Sequence, residues 1–270
     1  MNGENDLTPP TAQMSIVHYQ RGAPGKRDAV RTLIDERLLT LEVSGGGSYS
    51  LMRTPGRDRE LAVGFLFTEG IIDTLDDILT LEECLDNHDL IRVRVRQAKE
   101  LPGRSLRLMS SCGLCGHPQI DELVAGLGTV AEGGMLHAEH LYALPAAVLE
   151  RQGLFRQTGG AHAAALFDME GRVMVVREDI GRHNALDKAL GHALFERFSC
   201  DSLGIYLSGR ASLEMIVKAA QARAVVVASA KAPSALAAEV AERTGMTLCG
   251  FVRGREFAVY CHERRICRMQ

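Results

Sequence analysis

The sequence lacks tryptophan, and aromatic residues make up only 5% of its 270 residues. An aromatic platform on which nucleic-acid bases stack is therefore not expected. A surplus of positive charge is also missing, since 31 Lys and Arg residues stand against 34 Asp and Glu residues, for a net charge of −3. Proteins that bind nucleic acid or anionic membranes carry basic surfaces, so neither partner is predicted.

Long apolar runs and targeting signals are absent as well. No run approaches the ~20 apolar residues of a membrane helix. Residues 1–15 have neither the basic nor the apolar region of a secretory signal, so we expect a cytoplasmic protein. Its seven cysteines are then expected to be reduced thiols. Hydrophobic residues amount to 46%, which is enough to form a core in one or two domains.

The pattern divides the chain into three regions. Residues 1–14 are polar and include two adjacent prolines, which predicts a disordered tail. Residues 15–110 predict a mainly β subdomain, and residues 111–270 alternate short strands with helices, which predicts a three-layer α/β sheet. The predicted helices span 57–70, 138–151, 182–198, 213–223 and 234–244, and the predicted strands span 37–44, 49–54, 90–96, 104–109, 161–167, 172–177, 203–207, 224–230, 247–252 and 257–261.

A Cys-x-x-Cys pair, Cys112 and Cys115, is the sharpest local signal. Such a pair can be half of a zinc site, a dithiol redox site, or a sulfur carrier in which one thiolate holds a sulfane sulfur as a persulfide. No second pair has the spacing of zinc ligands, so no metal site is expected. The flanking Ser and Gly residues favour an exposed turn over two thiols that meet by chance in a core.

Polar, Gly-containing segments follow three predicted strands, at residues 178–188, 208–212 and 231–234, and we expect them to cluster at the carboxyl edge of one sheet. Where a strand ends and a helix begins, the free N–H groups of the helix can bind an anion such as phosphate. Gly181, Arg182, His183 and Arg210 are therefore candidate binding residues. The alternative is that these side chains cap helices and form surface ion pairs. The segment Phe251–Glu256, taken alone, predicts a solvated basic turn.

Read together, several segments resemble one protein family. They are SSCGLCG, GGAHAAAL, EDIGRHNALDKALG, SGRASLEMIVKA, KAPSALA and TLCGFVRG. They occur in the order seen in FdhD proteins, the formate dehydrogenase accessory sulfurtransferases. The resemblance covers the chain from about Arg31 to Tyr260.

The resemblance implies a fold like that of the cytidine deaminases and a role in sulfur transfer. Sulfur would pass from a cysteine desulfurase to the molybdenum cofactor in its bis-guanine-dinucleotide form, which apo-formate dehydrogenase then receives. By the same resemblance Cys112 carries the persulfide and Cys115 is its partner. A cofactor-binding stretch is implied at Phe251, Val252, Arg253, Gly254, Arg255 and Glu256. GDP is expected to act as a cofactor analogue, and the protein is expected to be a homodimer.

Two other functions stay open at this point. The protein could bind the molybdenum cofactor as a chaperone without carrying sulfur, or it could be a dithiol oxidoreductase. The role of Cys115 also stays open, because it could accept the sulfur or expel it as sulfide by forming a disulfide.

Overall fold

The computed structural model describes residues 10–21, 26–96, 121, 123–130, 134–198 and 202–268. Cys112 and Cys115 lie outside these residues, and so does the strand expected at 104–109.

The N-terminal region forms a two-stranded antiparallel ribbon, a four-stranded mixed sheet and one long helix. Its elements are β1 (Thr11–Tyr19), β2 (Lys26–Ile34), β3 (Arg37–Val43), β4 (Gly47–Arg53), α1 (Asp58–Thr68), a 3-10 helix (Leu75–Asp77), β5 (Ile78–Cys84) and β6 (Asn87–Val95). Strands β1 and β2 form a separate ribbon, and the other strands form a sheet in the order β4-β3-β6-β5. In β6, Ile91 and Val93 are buried while Arg92 is exposed, as the alternating sequence predicts.

The C-terminal region is built around a six-stranded sheet in the order β13-β12-β11-β10-β8-β9. Strands β10, β11 and β12 are parallel, whereas β8 is antiparallel to both of its neighbours. The elements are β7 (Leu136–His137), α2 (Ala138–Arg151), α3 (Gly153–Thr158), β8 (His162–Phe167), β9 (Val173–Asp179), α4 (Arg182–Phe195), β10 (Gly204–Leu207), α5 (Leu213–Gln221), β11 (Val226–Ser229), α6 (Ala235–Thr244), β12 (Thr247–Arg253), β13 (Glu256–Cys261), a 3-10 helix (Glu263–Arg265) and β14 (Ile266–Cys267).

Helices lie on both faces of β9. Arg177 points to one face, where it contacts Glu60 of α1 and His192 of α4. The next residue, Glu178, points to the other face and accepts hydrogen bonds from the backbone N–H groups of Leu154 and Phe155 in α3. The expected mixed α/β fold with several sheets is confirmed.

Two expectations need correction. The predicted disordered tail was extended too far, because Thr11–Met14 are part of β1 and pair with β2. The sequence analysis also missed β1, β2, β5 and α3 as elements. The ribbon was missed because its exposed positions carry both polar and apolar side chains, so neither face shows the alternation of a half-buried strand.

Helices α1 and α4 pack with their backbones almost in contact. A Cβ atom on Gly64 would lie 1.8 Å from the carbonyl oxygen of Asp187, and one on Gly191 would lie 1.9 Å from that of Glu60. Only glycine permits this approach, which joins the N-terminal sheet to the six-stranded sheet through one pair of helices. Buried Leu61 and Leu66 of α1 belong to the N-terminal core, and Leu186 and Leu190 of α4 belong to the C-terminal core.

Replacing Gly191 with Ala is expected to lower the free energy of unfolding by about 3 kcal/mol, the upper part of the range for overpacking a core. The new methyl group would meet backbone atoms of α1, which can give way only if the whole helix moves. Urea denaturation measures the change. Gly153→Ala is the matched control, because a Cβ there meets no atom within 4 Å. Equal stability of the two variants would contradict the close packing.

Candidate functional site

The carboxyl ends of β9, β10, β11 and β12 lie along one edge of the six-stranded sheet, since these strands run in the same direction. Strand β8 begins at the same edge with His162. The segments at 178–183, 208–212 and 231–234 therefore meet at one edge, as the sequence predicted. The turn between β12 and β13 lies at this edge too.

Hydrogen bonds connect the loops that follow β10, β11 and β12. The Ser229 hydroxyl donates to the Gly209 carbonyl oxygen over 2.7 Å, and the backbone N–H of Phe251 donates to the Lys231 carbonyl oxygen over 3.1 Å. The loop that carries Arg210 is thus joined to the Phe251–Glu256 turn through one intervening loop. The two stretches expected to bind the cofactor belong to one connected surface.

A buried ion pair at the end of β9 fastens the two sheets together. The Asp179 carboxylate is fully buried and lies 2.7 Å from Nζ of Lys188. Lys188 also donates to the Thr54 carbonyl oxygen over 2.8 Å, and the N–H of Thr54 donates to Asp179 over 3.1 Å. Asp179 and Lys188 of the EDIGRHNALDK segment therefore have a structural role, and their ion pair is buried, unlike the surface ion pairs considered from the sequence.

A second buried ion pair joins α5 to α4. Nζ of Lys218 lies 2.9 Å from the nearer carboxylate oxygen of Asp187 and donates to the Thr68 hydroxyl over 2.8 Å. Burial acts to lower the pKa of Lys218, but the carboxylates of Asp187 and Glu69 together outweigh it and the pKa is raised. The sequence analysis missed Lys218, because its position in an amphipathic helix gives no sign of a partner distant in the chain.

Unpartnered donors remain around the start of α4 and α5. Nε of Arg182 and the Ser212 hydroxyl are screened from solvent and have no hydrogen-bond partner within the described residues. Ser212 precedes α5 without capping it, and Gly181 precedes α4. The Gly209 backbone lies beside the side chains of His162 and Arg182. Two uncapped helix N-termini and a guanidinium form a site suited to an anion.

His183 is kept neutral beside these donors. Burial lowers the pKa of its imidazole to about 4, and the positive charges of Arg182 and Lys218 act in the same direction. Its Nε2 atom lies 2.8 Å from a carboxylate oxygen of Glu214, but the two groups are not aligned as a hydrogen bond. Burial and the two cations lower the pKa of His183 more than the nearby Glu214 carboxylate can raise it. We therefore expect His183 to be unprotonated at neutral pH.

A cavity of about 410 Å³ opens next to His183, between β4, α1, α4 and α5. Met52 and Phe65 give it an apolar side, and Asn184 and Glu214 give it a polar one. A ligand bound at the edge of the sheet could extend into this space.

Arg210 and the turn after β12 are open to solvent. Arg210, Arg253 and Arg255 are exposed, whereas Val252 is buried and belongs to the hydrophobic core. Arg253 lies 3.2 Å from Glu256, and its guanidinium is 5.8 Å from the ring centroid of Phe251. The turn is thus a solvated basic hairpin whose arginines are accessible to a ligand.

Stability below neutral pH is expected to depend on His183. A histidine in the unfolded chain titrates near pH 6.5, whereas His183 in the folded chain binds a proton only near pH 4. Between these pH values the unfolded chain is protonated at His183 and the folded chain is not. The contribution of His183 is therefore fully present above pH 6.5 and is lost as the pH falls from 6.5 to 4. Urea unfolding from pH 7 to pH 4 should show the wild type losing about 1–2 kcal/mol more than His183→Gln. Parallel pH profiles for the two proteins would refute this assignment.

Four other cysteines lie within the described residues, and two of them, Cys249 and Cys261, are buried thiols. Burial raises the pKa of Cys249 to about 12 and that of Cys261 to about 11, so neither is a thiolate at neutral pH. Sγ of Cys267 lies 3.2 Å from Nδ1 of His137, and Cys84 is half-buried at the end of β5.

Among the described residues, no helix is long and apolar enough to span a membrane.

Comparisons with known proteins all find similarity to one protein family. A family model described as the FdhD/NarQ family matches residues 34–267. A protein named sulfur carrier protein FdhD from Thermoplasma acidophilum is 37% identical over 273 residues, covering 97% of this chain and 96% of that protein. A protein of the same name from Nocardia farcinica is 38% identical over 245 residues, covering 87% and 88%. The crystal structure of a protein described as a formate dehydrogenase accessory protein, from Desulfotalea psychrophila, superposes with a TM-score of 0.76 at 25% identity, covering 96% of this chain and 100% of that one.

Proposed function

The chain belongs to the FdhD/NarQ family, and from this premise we propose that it is a sulfurtransferase that carries sulfur for formate dehydrogenase. The name sulfur carrier protein, shared by the relatives, supports the sulfur-transfer role. The similarity to a formate dehydrogenase accessory protein of known structure supports formate dehydrogenase as the client.

Cys112 is proposed as the residue that carries the sulfur. Its thiolate attacks the outer sulfur of a persulfide on a cysteine desulfurase, a new S–S bond forms, and the desulfurase thiolate leaves. In the second transfer the S–S bond of the Cys112 persulfide breaks and the Cys112 thiolate leaves, while the outer sulfur goes to the molybdenum cofactor, which is the substrate and supplies the two electrons that bring this sulfur to the sulfide level. Cys115 either accepts the sulfur from Cys112 or displaces it as sulfide.

The cofactor is proposed to bind at the carboxyl edge of the six-stranded sheet. The observation that carries this proposal is the pair of screened, unpartnered donors, Nε of Arg182 and the Ser212 hydroxyl, at two helix N-termini. The bis-guanine-dinucleotide form of the cofactor bears several phosphates, and such donors suit them. Arg210 and the Phe251–Glu256 turn lie along the same edge and could bind further phosphate or base groups.

The proposed partners are a cysteine desulfurase and apo-formate dehydrogenase, and the proposed location is the cytoplasm. We also propose that the protein is a homodimer. A cytidine-deaminase-like, three-layer arrangement is supported by two features, the hairpin of β8 and β9 beside the parallel β10, β11 and β12, and the helices on both faces of β9.

Arg182→Ala and Arg210→Ala are each expected to weaken GDP binding by about 1.5–3 kcal/mol, the worth of a charge-assisted hydrogen bond. Isothermal titration calorimetry with GDP measures this loss, and Arg37→Ala is the control because Arg37 pairs with Asp35, outside the site. Loading of persulfide onto Cys112 should be unchanged in both variants, since that step needs no cofactor. Folded wild-type protein that gives neither heat nor a thermal shift with millimolar GDP would overturn the site.

A further inference from the structure

Cys267 and His137 form a pair of a thiol and an imidazole outside the candidate site. Sγ of Cys267 lies 3.2 Å from Nδ1 of His137, which is within the reach of a hydrogen bond. Backbone pairing sets this contact, because β14 runs parallel to β7 and places Cys267 opposite His137. Both residues are half-buried, so the pair is not sealed inside the core. A nucleophile within hydrogen-bond reach of a base is the arrangement that activates a cysteine.

The pair lies at the opposite edge of the six-stranded sheet from the candidate site. Strand β13 runs antiparallel to β12, so it ends with Cys261 at the edge where β12 begins. The segment after β13 stays at this edge, since Nη1 of Arg265 donates to the carbonyl oxygen of Gly245, two residues before β12, over 2.7 Å. The proposed cofactor site therefore makes no use of Cys267.

The surroundings of the Cys267 thiol favour transfer of its proton. The Leu136 carbonyl oxygen lies 3.7 Å from Sγ and can only accept a hydrogen bond, whereas the closer imidazole of His137 can also take the proton. His137 is the N-cap of α2, and no side chain caps the first N–H groups of this helix. The positive end of the helix dipole favours a thiolate over a neutral thiol.

Cys261 shows what a thiol does without such a base. Its Sγ donates to the Met246 carbonyl oxygen over 3.3 Å, and burial raises the pKa of this thiol to about 11. A carbonyl oxygen cannot take the proton, so Cys261 stays a neutral thiol at neutral pH. The imidazole beside Cys267 is therefore the feature that distinguishes the two residues.

We propose that Cys267 and His137 form a nucleophilic site that reacts with small disulfides. Nδ1 of His137 takes the thiol proton, and the Cys267 thiolate attacks one sulfur of the disulfide. An S–S bond forms between Cys267 and this sulfur, the original S–S bond breaks, and the leaving thiolate takes the proton from the imidazolium and departs as a thiol. Cys267 is oxidised and the leaving half of the disulfide is reduced, so the step needs no further reagent. The site is separate from the sulfur transfer proposed for Cys112.

Hydroxyethyl disulfide tests the site in the full chain with Cys112→Ala and Cys115→Ala, which remove the proposed sulfur carrier. Intact-protein mass spectrometry at neutral pH follows the mixed disulfide, and the adduct on Cys267 is the part that disappears when Cys267→Ser is added. We expect His137→Ala to slow this adduct at least ~10-fold, because the thiol loses its base. His88→Ala is the matched control, since His88 is an exposed histidine on β6, and it should leave the rate unchanged.

Imidazole added to the buffer distinguishes a base from a structural role of His137. It should restore the rate of adduct formation on Cys267 in His137→Ala at least ~3-fold and leave the rate with His137 intact nearly unchanged. A slow rate that imidazole does not restore would show that His137 only holds β14 in place, and this would overturn the proposal. So would a rate that His137→Ala does not change, or a Cys267 that gains no adduct with His137 present. Circular dichroism confirms that each variant is folded.

The cofactor proposal is checked on the same proteins. GDP binding should be equal with and without Cys267→Ser, because the pair lies at the other edge of the sheet. Absence of GDP binding in all of these proteins would overturn the cofactor site and leave the result for Cys267 standing. Loss of GDP binding in Cys267→Ser alone would overturn the separation of the two sites.

Discussion

Replacing Cys112 with Ala is expected to reduce formate dehydrogenase activity to background in cells that have no other copy of this protein. The thiolate is the species that attacks a persulfide, and alanine has no atom that can accept sulfur. The measurement is formate dehydrogenase activity in extracts of a deletion strain complemented with each variant, at equal protein levels.

Cys84→Ala is the matched control for this substitution. Cys84 is a half-buried free thiol at the end of β5, in the N-terminal sheet. We expect this variant to mature the dehydrogenase normally. Normal formate dehydrogenase activity with Cys112→Ala as well would show that Cys112 is not needed for maturation of the enzyme.

Replacing Lys188 with Met is expected to lower the free energy of unfolding by about 3–5 kcal/mol, the cost of breaking a buried ion pair. Methionine fills a similar volume, but it leaves the fully buried Asp179 carboxylate without its cation and the Thr54 carbonyl oxygen without its donor. Urea denaturation at neutral pH measures the loss.

Two further variants separate the ion pair from a general effect of losing a lysine. Lys231→Met should change stability by less than ~0.5 kcal/mol, because Lys231 is exposed. Asp179→Asn combined with Lys188→Met should be more stable than Lys188→Met alone, since it removes the unpaired charge. A Lys188→Met protein as stable as Lys231→Met would show that the pair does not hold the two sheets together.

The regular part of the fold could be predicted from the sequence. The apolar period of 138–151 predicted α2 with the bounds that the structure shows, and the alternation in 90–96 predicted most of β6. The segments after β9, β10 and β11 were predicted to meet at one sheet edge, because parallel strands end on the same side. Local patterns suffice for features of this kind.

Features that depend on distant contacts could not be predicted. Gly64 and Gly191 carry no local sequence signal that sets them apart, and only the packing of α1 on α4 shows why no side chain fits there. The sequence suggested that Asp179 and Asp187 belonged to a functional cluster. In the structure Asp179 binds Lys188 of the same segment and Asp187 binds Lys218 of α5, and neither spacing is that of an ion pair along a helix. Arg182 and His183, from the same segment, are the residues left at the candidate site.

The sulfur-carrying role of Cys112 is tested most directly by mass spectrometry after incubation with a cysteine desulfurase and cysteine. The account predicts a mass increase of one sulfur atom, mapped by peptide analysis to Cys112, removed by dithiothreitol and absent in Cys112→Ala. Buried Cys249 and Cys261 should stay unmodified, since burial raises the pKa of both thiols. A wild-type protein that binds GDP but gains no sulfur would contradict the account and indicate a cofactor chaperone instead.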